Sequence, residues 1–296
     1  MSTSGWGPPN REPSAVTAVC FRHPDRPTGL KCSRCGRPAC PQCLREAPVG
    51  FHCVQCVAQG NREVRRPTTV TGARPSRAAP MVTYGLIGVN VLVFLLTVVG
   101  AGSLMSNESA QIFGEFALWP YGVAQGEWWR VIGSGFLHYG PVHLLMNMFA
   151  LYILGRDMET VLGRGRFFAV YAVSLIGGSA SVMLFSTPTT ATAGASGAIF
   201  GLMGGLVVVL LKLKQSLVPI IAVVALNVYI SLTVPSISLV GHLGGLLFGA
   251  LATAVLVYAP RARALQLQVL GLGVLTVLAF GLIIGRALEL RAVLPV

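Results

Sequence analysis

The sequence is poor in charged residues, which make up 11% of its 296 residues. An ordinary soluble domain has about 25%. Hydrophobic types make up 53% of the chain and the mean hydropathy is +0.69, so the composition argues strongly against a soluble globular enzyme. The few charges are also unevenly placed, since 16 lie in residues 1–80 and 16 in the other 216. We therefore expect a polar N-terminal part joined to a long apolar part.

Acidic residues are especially scarce, since 10 Asp and Glu stand against 22 Lys and Arg and the net charge is +12. Of this excess, +8 lies in residues 1–80. Basic residues beside a hydrophobic region typically mark the cytoplasmic side of a membrane protein. A nucleic-acid-binding patch is the alternative, but no helix suited to reading bases is evident. No signal peptide is visible before the first long apolar run, which begins near Met81.

Cysteine is absent after residue 56. The seven cysteines and one histidine form four pairs with a spacing of two residues: Cys20/His23, Cys32/Cys35, Cys40/Cys43 and Cys53/Cys56. This spacing is typical of zinc knuckles, and eight ligands serve two tetrahedral Zn²⁺ ions. A redox-active set of disulfides is the alternative, although an odd number of cysteines and a cytoplasmic location both argue against it. A domain this short needs a metal to hold its core.

The cysteine cluster resembles a B-box-type or related treble-clef zinc domain. This resemblance implies cross-braced pairing, in which the first pair of ligands joins the third and the second joins the fourth. Sequential pairing is the alternative, and His52 could replace Cys53 outside the two-residue spacing. We expect the domain to bind a cytosolic protein partner, to sense a signal or only to fold locally. We expect no nucleic-acid partner.

Seven apolar segments are long enough to cross a bilayer, since a spanning helix needs about 20 residues. They lie at 81–102, at 131–155, within 167–211 (two, divided at 186–194), within 215–260 (two, divided at 234–236) and at 264–285. The sequence therefore predicts an all-α polytopic membrane protein preceded by a small zinc-stabilised domain. Its expected parts are a flexible tail at 1–17, a zinc-binding domain at 18–57, a linker at 58–80, six spans at 81–260, and a seventh span with a short tail at 261–296.

The charges between the spans predict their orientation. Loops with Lys and Arg follow the second, fourth and sixth spans. These loops and the N-terminal domain are therefore expected in the cytoplasm, and the C-terminus outside. The longest of the other loops, 103–130, carries six aromatic residues. Aromatic residues settle at the level of the lipid headgroups. We expect this loop to be structured and to lie partly in the membrane interface, with simple anchoring by the aromatic residues as the alternative.

Polar residues gather at one depth of this topology. His138, His143 and Asn147 lie near the start of the second span, Ser196 at the start of the fourth and His242 early in the sixth. These three spans run from outside to inside, so all five residues are expected in the outer half of the bilayer. Ionisable residues inside spans are rare and usually functional. A packing histidine or a hydrogen bond between helices explains any one of them alone, but not their common depth.

Glycine recurs at every fourth position on the fourth and sixth spans. The two rows are Gly197, Gly201 and Gly205, and Gly241, Gly245 and Gly249. Such faces let helix backbones approach closely, which would bring Ser196 within reach of His242. A serine hydroxyl needs a base within hydrogen-bond distance to act as a nucleophile, and no Asp or Glu lies in the outer halves of these spans to orient the histidine. We therefore expect a Ser-His dyad whose imidazole is held by packing, with His143, Asn147 and the Ser196 N–H as donors to an oxyanion.

These motifs resemble those of the rhomboid family of intramembrane serine proteases. The matching residues are His138-x4-His143-x3-Asn147, Gly194-Ala195-Ser196-Gly197, Gly241-His242-x2-Gly245 and, before the second span, Trp129-Arg130. The resemblance covers roughly residues 81–260 and implies a six-helix core that cleaves transmembrane substrates near the outer surface. It implies Ser196 as nucleophile, His242 as general base, and His143 and Asn147 as side chains of the oxyanion hole. The seventh span goes beyond the six-helix core, as in some members.

The same resemblance implies roles for two further residues. Phe200 lies four residues after the serine, where family members often have an aromatic residue that packs on the catalytic histidine. His138 matches a structural histidine of the family. No residue of the matched motifs is missing, so an inactive relative is disfavoured. A non-catalytic rhomboid-like binder or chaperone of membrane proteins is the alternative, and a transporter or channel is disfavoured because no inverted repeat is apparent.

The overall composition bears on the origin of the chain. It is rich in Ala, Gly, Val and Arg and has three Lys, which suggests a bacterial protein from a GC-rich genome. We therefore expect the lipid bilayer around it to be a plasma membrane.

Overall fold

The structure is a computed structural model that describes residues 18–64, 79–234 and 237–293. The expected flexible tail at 1–17 and most of the expected linker at 58–80 lie outside these residues. The chain divides into two compact units, Met1–Arg66 and Pro67–Val296.

The first unit is built from two small hairpins and one helix. Its elements are β1 (Val19–Cys20), β2 (His23–Pro27), β3 (Leu44–Glu46), β4 (Phe51–Cys53) and α1 (Val54–Glu63). Strand β1 pairs antiparallel with β2, and β3 pairs antiparallel with β4. Helix α1 continues past residue 57, where the zinc domain was expected to end. The buried hydrophobic cluster consists of six cysteines with Ala39 and Leu44, so residues 18–64 have almost no aliphatic core.

The second unit is helical. Its helices are α2 (Met81–Ala101), α3 (Gln111–Phe116), α4 (Pro120–Ala124), α5 (Arg130–Gly133), α6 (Gly140–Leu162), α7 (Arg164–Phe185), α8 (Ser196–Leu213), α9 (Val218–Thr233), α10 (Leu239–Tyr258) and α11 (Ala264–Val293). Helices α2, α7, α8, α10 and α11 are each long and apolar enough to cross a membrane. The protein is therefore a multi-pass membrane protein.

Three of the seven predicted spans differ from the helices that the structure shows. The prediction of a continuous second span over 131–155 is wrong, because residues Arg130–Phe136 and helix α6 form a pair bent by 92°. The predicted fifth span corresponds to α9, which has 16 residues. Such a helix is about 24 Å long, shorter than the hydrocarbon core of about 30 Å. Helix α11, by contrast, continues to Val293, beyond the predicted end of the last span at residue 285.

The bend before α6 is held by Asn107, a fully buried residue of the loop after α2. Its Nδ2 donates to the carbonyl of His138 and its Oδ1 accepts from the N–H of Gly140, both at 2.8 Å. Gly140 has a φ of +69°, and Pro141 in the first turn of α6 favours a helix start. Because these backbone groups have partners, an irregular segment is tolerated at membrane depth.

Helices α7, α8 and α10 form the centre of the second unit, and the glycine rows of α8 and α10 face each other. A Cβ atom on Gly245 would overlap the carbonyl of Gly197, and one on Gly249 would overlap the carbonyl of Gly201. Only glycine permits this approach, so the two backbones are in direct contact. The close packing predicted from the glycine spacing is confirmed.

The loop 103–130 is structured. Arg130 is buried, and its guanidinium donates to the carbonyls of Gly114 and Ala117 at 2.6 and 2.9 Å and to the Glu127 carboxylate at 2.5 Å. Trp128 and Trp129 are exposed, as expected for aromatic residues in a membrane interface.

Candidate functional site

Ser196 and His242 meet where α8 and α10 begin. Ser196 is the first residue of α8, and His242 lies in the first turn of α10, whose N-cap Ser238 accepts a hydrogen bond from the Gly241 N–H. The two helices touch through their glycine faces, so the Oγ of Ser196 lies 2.7 Å from the Nε2 of His242. The structure thus places the two residues that the sequence singles out within hydrogen-bond distance.

Two side chains contact the imidazole of His242. The Phe200 ring stacks on it with the ring centroids 4.0 Å apart and the planes 14° from parallel. The Oγ of Ser231, on α9, lies 2.8 Å from its Nδ1. Sequence reasoning expects packing alone to hold this ring and does not identify Ser231. The available signal is that Asn227 and Ser231 are polar and four residues apart in a mostly apolar helix.

His143 and Asn147 lie beside the pair, one helical turn apart on α6. The N–H of Tyr139 donates to the Nδ1 of His143 at 3.3 Å, and the Nδ2 of Asn147 donates to the His143 carbonyl at 3.0 Å. A neutral imidazole that accepts at Nδ1 carries its proton on Nε2. The tautomer set by Tyr139 therefore makes the His143 Nε2 a hydrogen-bond donor.

Gly194 keeps the space between His143 and Ser196 open. Its φ is +137°, a conformation that favours glycine. A Cβ atom here would lie 3.0 Å from the Nε2 of His143 and 3.4 Å from the Oγ of Ser196. The absence of a side chain therefore leaves a small space that the serine oxygen and the His143 ring both border.

His138 lies next to His143, with the ring centroids 5.1 Å apart. It is fully buried. Its place behind His143 suits a packing role, since it does not border the space beside Ser196.

A cavity of about 1030 Å³ opens onto these residues. At one end it is lined by polar groups that include Ser134, His143, Asn147, Ser196 and His242. Further along, apolar residues of α6 and α9 line it, among them Met146, Phe149, Ile220 and Val223. The cavity is thus polar at the Ser-His pair and mostly apolar along the two helices that flank it, where Asp157 of α6 and Asn227 of α9 are the polar exceptions.

The first unit holds two compact groups of potential metal ligands. Cys20, His23, Cys40 and Cys43 form one group, and Cys32, Cys35, Cys53 and Cys56 form the other, with the ligand atoms of each group within 4.8 Å of one another. This is the cross-braced grouping rather than the sequential one, and His52 belongs to neither group. All seven cysteines are free thiols, so the disulfide alternative is not supported.

The distances within these groups fit a tetrahedral metal. With Zn–S bonds of about 2.3 Å, two sulfur atoms on one zinc lie roughly 3.8 Å apart. The Sγ atoms of Cys35 and Cys53 are 3.8 Å apart, and the Nδ1 of His23 lies 3.4 Å from the Sγ of both Cys40 and Cys43. The Nε of Arg37 donates to Cys35, and this hydrogen bond is the largest of several that lower the pKa of the Cys35 thiol to about 6. The thiolate is the form that binds metal.

Comparison with known proteins agrees with this geometry. The model of the Rhomboid domain matches residues 125–259. Rhomboid protease GluP of Bacillus subtilis is 36% identical over 209 residues, which are 68% of this chain and 40% of that protein. Rhomboid protease AarA of Providencia stuartii is 28% identical over 240 residues, which are 70% of this chain and 85% of that protein. The chain thus spans less than half the length of GluP but most of AarA.

The family to which the chain belongs follows from a relative that it covers over most of its length. The putative rhomboid protease YdcA of Bacillus subtilis is 36% identical over 147 residues, which are 48% of this chain and 74% of that protein. With the domain match, the Ser196–His242 contact and the facing glycine rows, this similarity shows that the chain belongs to the rhomboid family.

Proposed function

We propose that this protein is an intramembrane serine endopeptidase that cleaves transmembrane substrates with a Ser196–His242 dyad. The observation that carries the proposal is the 2.7 Å contact between the Oγ of Ser196 and the Nε2 of His242. A serine hydroxyl becomes an effective nucleophile when a neighbouring base accepts its proton. The relatives named as rhomboid proteases support the same reaction.

The proposed reaction has two stages. In the first, the Oγ of Ser196 bonds to the scissile carbonyl carbon while its proton passes to the Nε2 of His242. The tetrahedral intermediate then breaks its C–N bond, and the same proton goes to the leaving amine. In the second, water gives a proton to His242 while its oxygen bonds to the carbonyl carbon of the acyl-serine ester. The bond from that carbon to the Ser196 Oγ then breaks, His242 returns the proton to Oγ, and the carboxylic acid is released.

We propose that three hydrogen-bond donors stabilise the oxyanion of this tetrahedral intermediate. The His143 Nε2 carries a proton because Nδ1 accepts from Tyr139. The Asn147 amide has a second N–H beside the one that it donates to the His143 carbonyl. The Ser196 backbone N–H, at the start of α8, has no acceptor one turn back within its helix. The space that Gly194 leaves open between His143 and Ser196 suits the oxyanion.

The chemistry of the cavity defines the substrate class. A helix hides its peptide bonds, so a substrate needs a segment that unwinds easily and exposes one carbonyl to Ser196. The polar end of the cavity suits such a segment together with the water that the second stage needs. The mostly apolar walls of α6 and α9 suit the remaining transmembrane part of the substrate.

The orientation of the protein follows from its basic residues. Ser196 and His242 lie at the starts of α8 and α10, whereas Lys212 lies at the end of α8 and Arg261 after the end of α10. Basic residues favour the cytoplasm, so we place the zinc unit inside, the C-terminus outside and cleavage near the outer face. The composition favours a bacterial plasma membrane. Fusions of an alkaline phosphatase reporter to the C-terminus should be active, and inactivity there would contradict this orientation.

The zinc unit is proposed to hold two structural Zn²⁺ ions, one in each group of four ligands. Six buried cysteines with Ala39 and Leu44 form its hydrophobic cluster, so the metals supply the stability that an apolar core would otherwise provide. Release of zinc from the purified full chain should give two equivalents. Cys20→Ser and Cys53→Ser should each lose one, and a chain with no zinc when purified without chelator would contradict the assignment.

The protease proposal is tested by co-expression with a single-span model substrate whose fragments are separated by gel. The wild type should release a fragment, while Ser196→Ala and His242→Ala should release none. Ser174→Ala is the matched control, because Ser174 is a buried helical serine whose hydroxyl bonds to the carbonyl of Val170.

Two results of this experiment contradict the proposal. A fragment that persists in Ser196→Ala and His242→Ala would remove the dyad from the reaction. Capture of the uncut substrate equally by wild type and by both variants, without cleavage by any of them, would favour the non-catalytic binder or chaperone, which should tolerate loss of either residue.

A further inference from the structure

Helix α9 is poorly buried except at two residues. Of its 16 residues, Ile220 and Ser231 are the buried ones. Ile220 is apolar, whereas Ser231 is a polar residue with an exposed fraction of 7%. A buried hydroxyl needs hydrogen-bond partners, and those of Ser231 lie in its own helix and in the His242 ring.

The hydroxyl of Ser231 has two contacts. Its Oγ lies 2.7 Å from the carbonyl oxygen of Asn227, one turn earlier in α9, and 2.8 Å from the Nδ1 of His242. A carbonyl only accepts and a hydroxyl has one proton. Both contacts are hydrogen bonds only if Ser231 donates to Asn227 and accepts from the Nδ1–H of His242.

This arrangement fixes the proton of the imidazole. With Nδ1 protonated in the neutral ring, Nε2 has a free lone pair that faces the Ser196 hydroxyl at 2.7 Å. This tautomer is the one that a general base in the proposed reaction requires. In serine proteases of other folds an acidic residue selects the tautomer of the catalytic histidine.

We propose that Ser231 is a positioning residue that holds His242 as the Nδ1–H tautomer and fixes its ring against Ser196. The inference rests on the proposed protease function. Helix α9 also lines the cavity. The bond from Ser231 therefore couples the tautomer of His242 to the position of α9, because a shift of this helix would break the bond to Nδ1.

The other polar side chains of α9 differ from Ser231. The Nδ2 of Asn227 donates to the carbonyl of Val223, and the hydroxyl of Thr233 donates to the carbonyl of Tyr229. These bonds stay within the helix, as is common for polar residues in apolar helices. Thr233 is exposed, so Thr233→Ala removes a hydroxyl from the same helix without touching His242.

The test compares full-length variants in proteoliposomes with the single-span model substrate. Thr and Val have the same shape, so Ser231→Thr and Ser231→Val differ in the hydroxyl alone. We expect Ser231→Val and Ser231→Ala to lower kcat by about 5- to 10-fold, the worth of one hydrogen bond, with KM within about twofold of wild type. Ser231→Thr should exceed Ser231→Val by about fivefold in kcat, and Thr233→Ala should match wild type.

The outcomes separate this inference from the function on which it rests. Equal kcat for Ser231→Thr and Ser231→Val, or a change confined to KM, would overturn the positioning role. Rates are expressed per amount of folded, monodisperse protein. The comparison of Ser231→Thr with Ser231→Val therefore tests the inference even if Ser231→Ala fails to fold. If Ser196→Ala retains the wild-type rate, the protease function itself fails. Cleavage that needs Ser196 but is indifferent to the Ser231 hydroxyl refutes only the present inference.

Discussion

Glu159 should hold α2 against α6 as a helix cap rather than as half of an ion pair. Its carboxylate is 3% exposed and accepts hydrogen bonds from the N–H of Val82 at 3.2 Å and from the N–H and hydroxyl of Thr83, both at 2.8 Å. These N–H groups belong to the first turn of α2, where they have no partner within the helix and where the helix dipole favours an anion. Arg164 is 3.8 Å away and 52% exposed, so its contribution is largely screened by solvent.

The magnitudes separate the two roles. Glu159→Gln keeps the shape but removes the charge and turns one acceptor into a donor, so at least one charge-assisted hydrogen bond is lost. Such a bond is worth about 1.5–3 kcal/mol. We therefore expect Glu159→Gln to lower the free energy of unfolding by about 2 kcal/mol, or the Tm by roughly 4–8 °C. Arg164→Gln should change it by about 0–1 kcal/mol.

The assay is thermal unfolding of each purified variant in the same detergent, followed by loss of helical circular dichroism. Thr83→Val is the intermediate case, since it removes one of the three donors and should cost about 1 kcal/mol. If Arg164→Gln destabilises the protein as much as Glu159→Gln, the capping argument is refuted and the ion pair carries the stability.

Three further predictions follow from the site and its supports. Phe200→Leu keeps most of the apolar volume but removes the stacking on His242, which is worth about 0.5–1.5 kcal/mol. The kcat of Phe200→Leu should therefore fall about 2- to 13-fold, while that of Phe200→Tyr should stay near wild type. Equal rates for the Leu and Tyr variants would refute the stacking role. Gly245→Ala should abolish folded protein because its Cβ would overlap the Gly197 carbonyl. Gly285→Ala is the control, since its Cβ would meet no atom within 4 Å, and it should be recovered normally. Similar yields of monodisperse protein for the two variants would contradict this prediction. Chelation should remove both metals and unfold the zinc unit, seen as proteolysis within residues 18–64, and resistance to protease after complete metal loss would show that the unit folds without zinc.

Much of the site could be predicted because it depends on short-range rules. The glycine rows fix which faces of α8 and α10 meet, and that contact brings Ser196 to His242. The spacing of the cysteine pairs likewise predicts two groups of four ligands, and the resemblance to treble-clef domains implied how the pairs combine. In each case the residue types permit few alternative contacts, so the individual side chains that meet can be predicted from the sequence.

The errors lie where tertiary contacts override a local pattern. Hydropathy predicts an unbroken second span, but Asn107 provides partners for the backbone at the bend before α6. The contact of Ser231 with His242 depends on the rotation of α9, which an apolar helix exposed on most sides does not reveal. The contact of the Arg291 side chain, near the end of α11, with the carbonyl of Ala124 in α4 joins residues far apart in the sequence. No periodic pattern predicts such a pair.

The most direct test of the central claim is to map a fluorophosphonate adduct by mass spectrometry of the purified full-length protein. A phosphonate reacts with a serine only when a base takes up the hydroxyl proton. The account predicts one adduct, on the peptide that contains Ser196, that is absent in Ser196→Ala and strongly reduced in His242→Ala. Cleavage of the model substrate by a protein that carries its adduct on another residue, or labelling of Ser196 at the same rate without His242, would contradict the account.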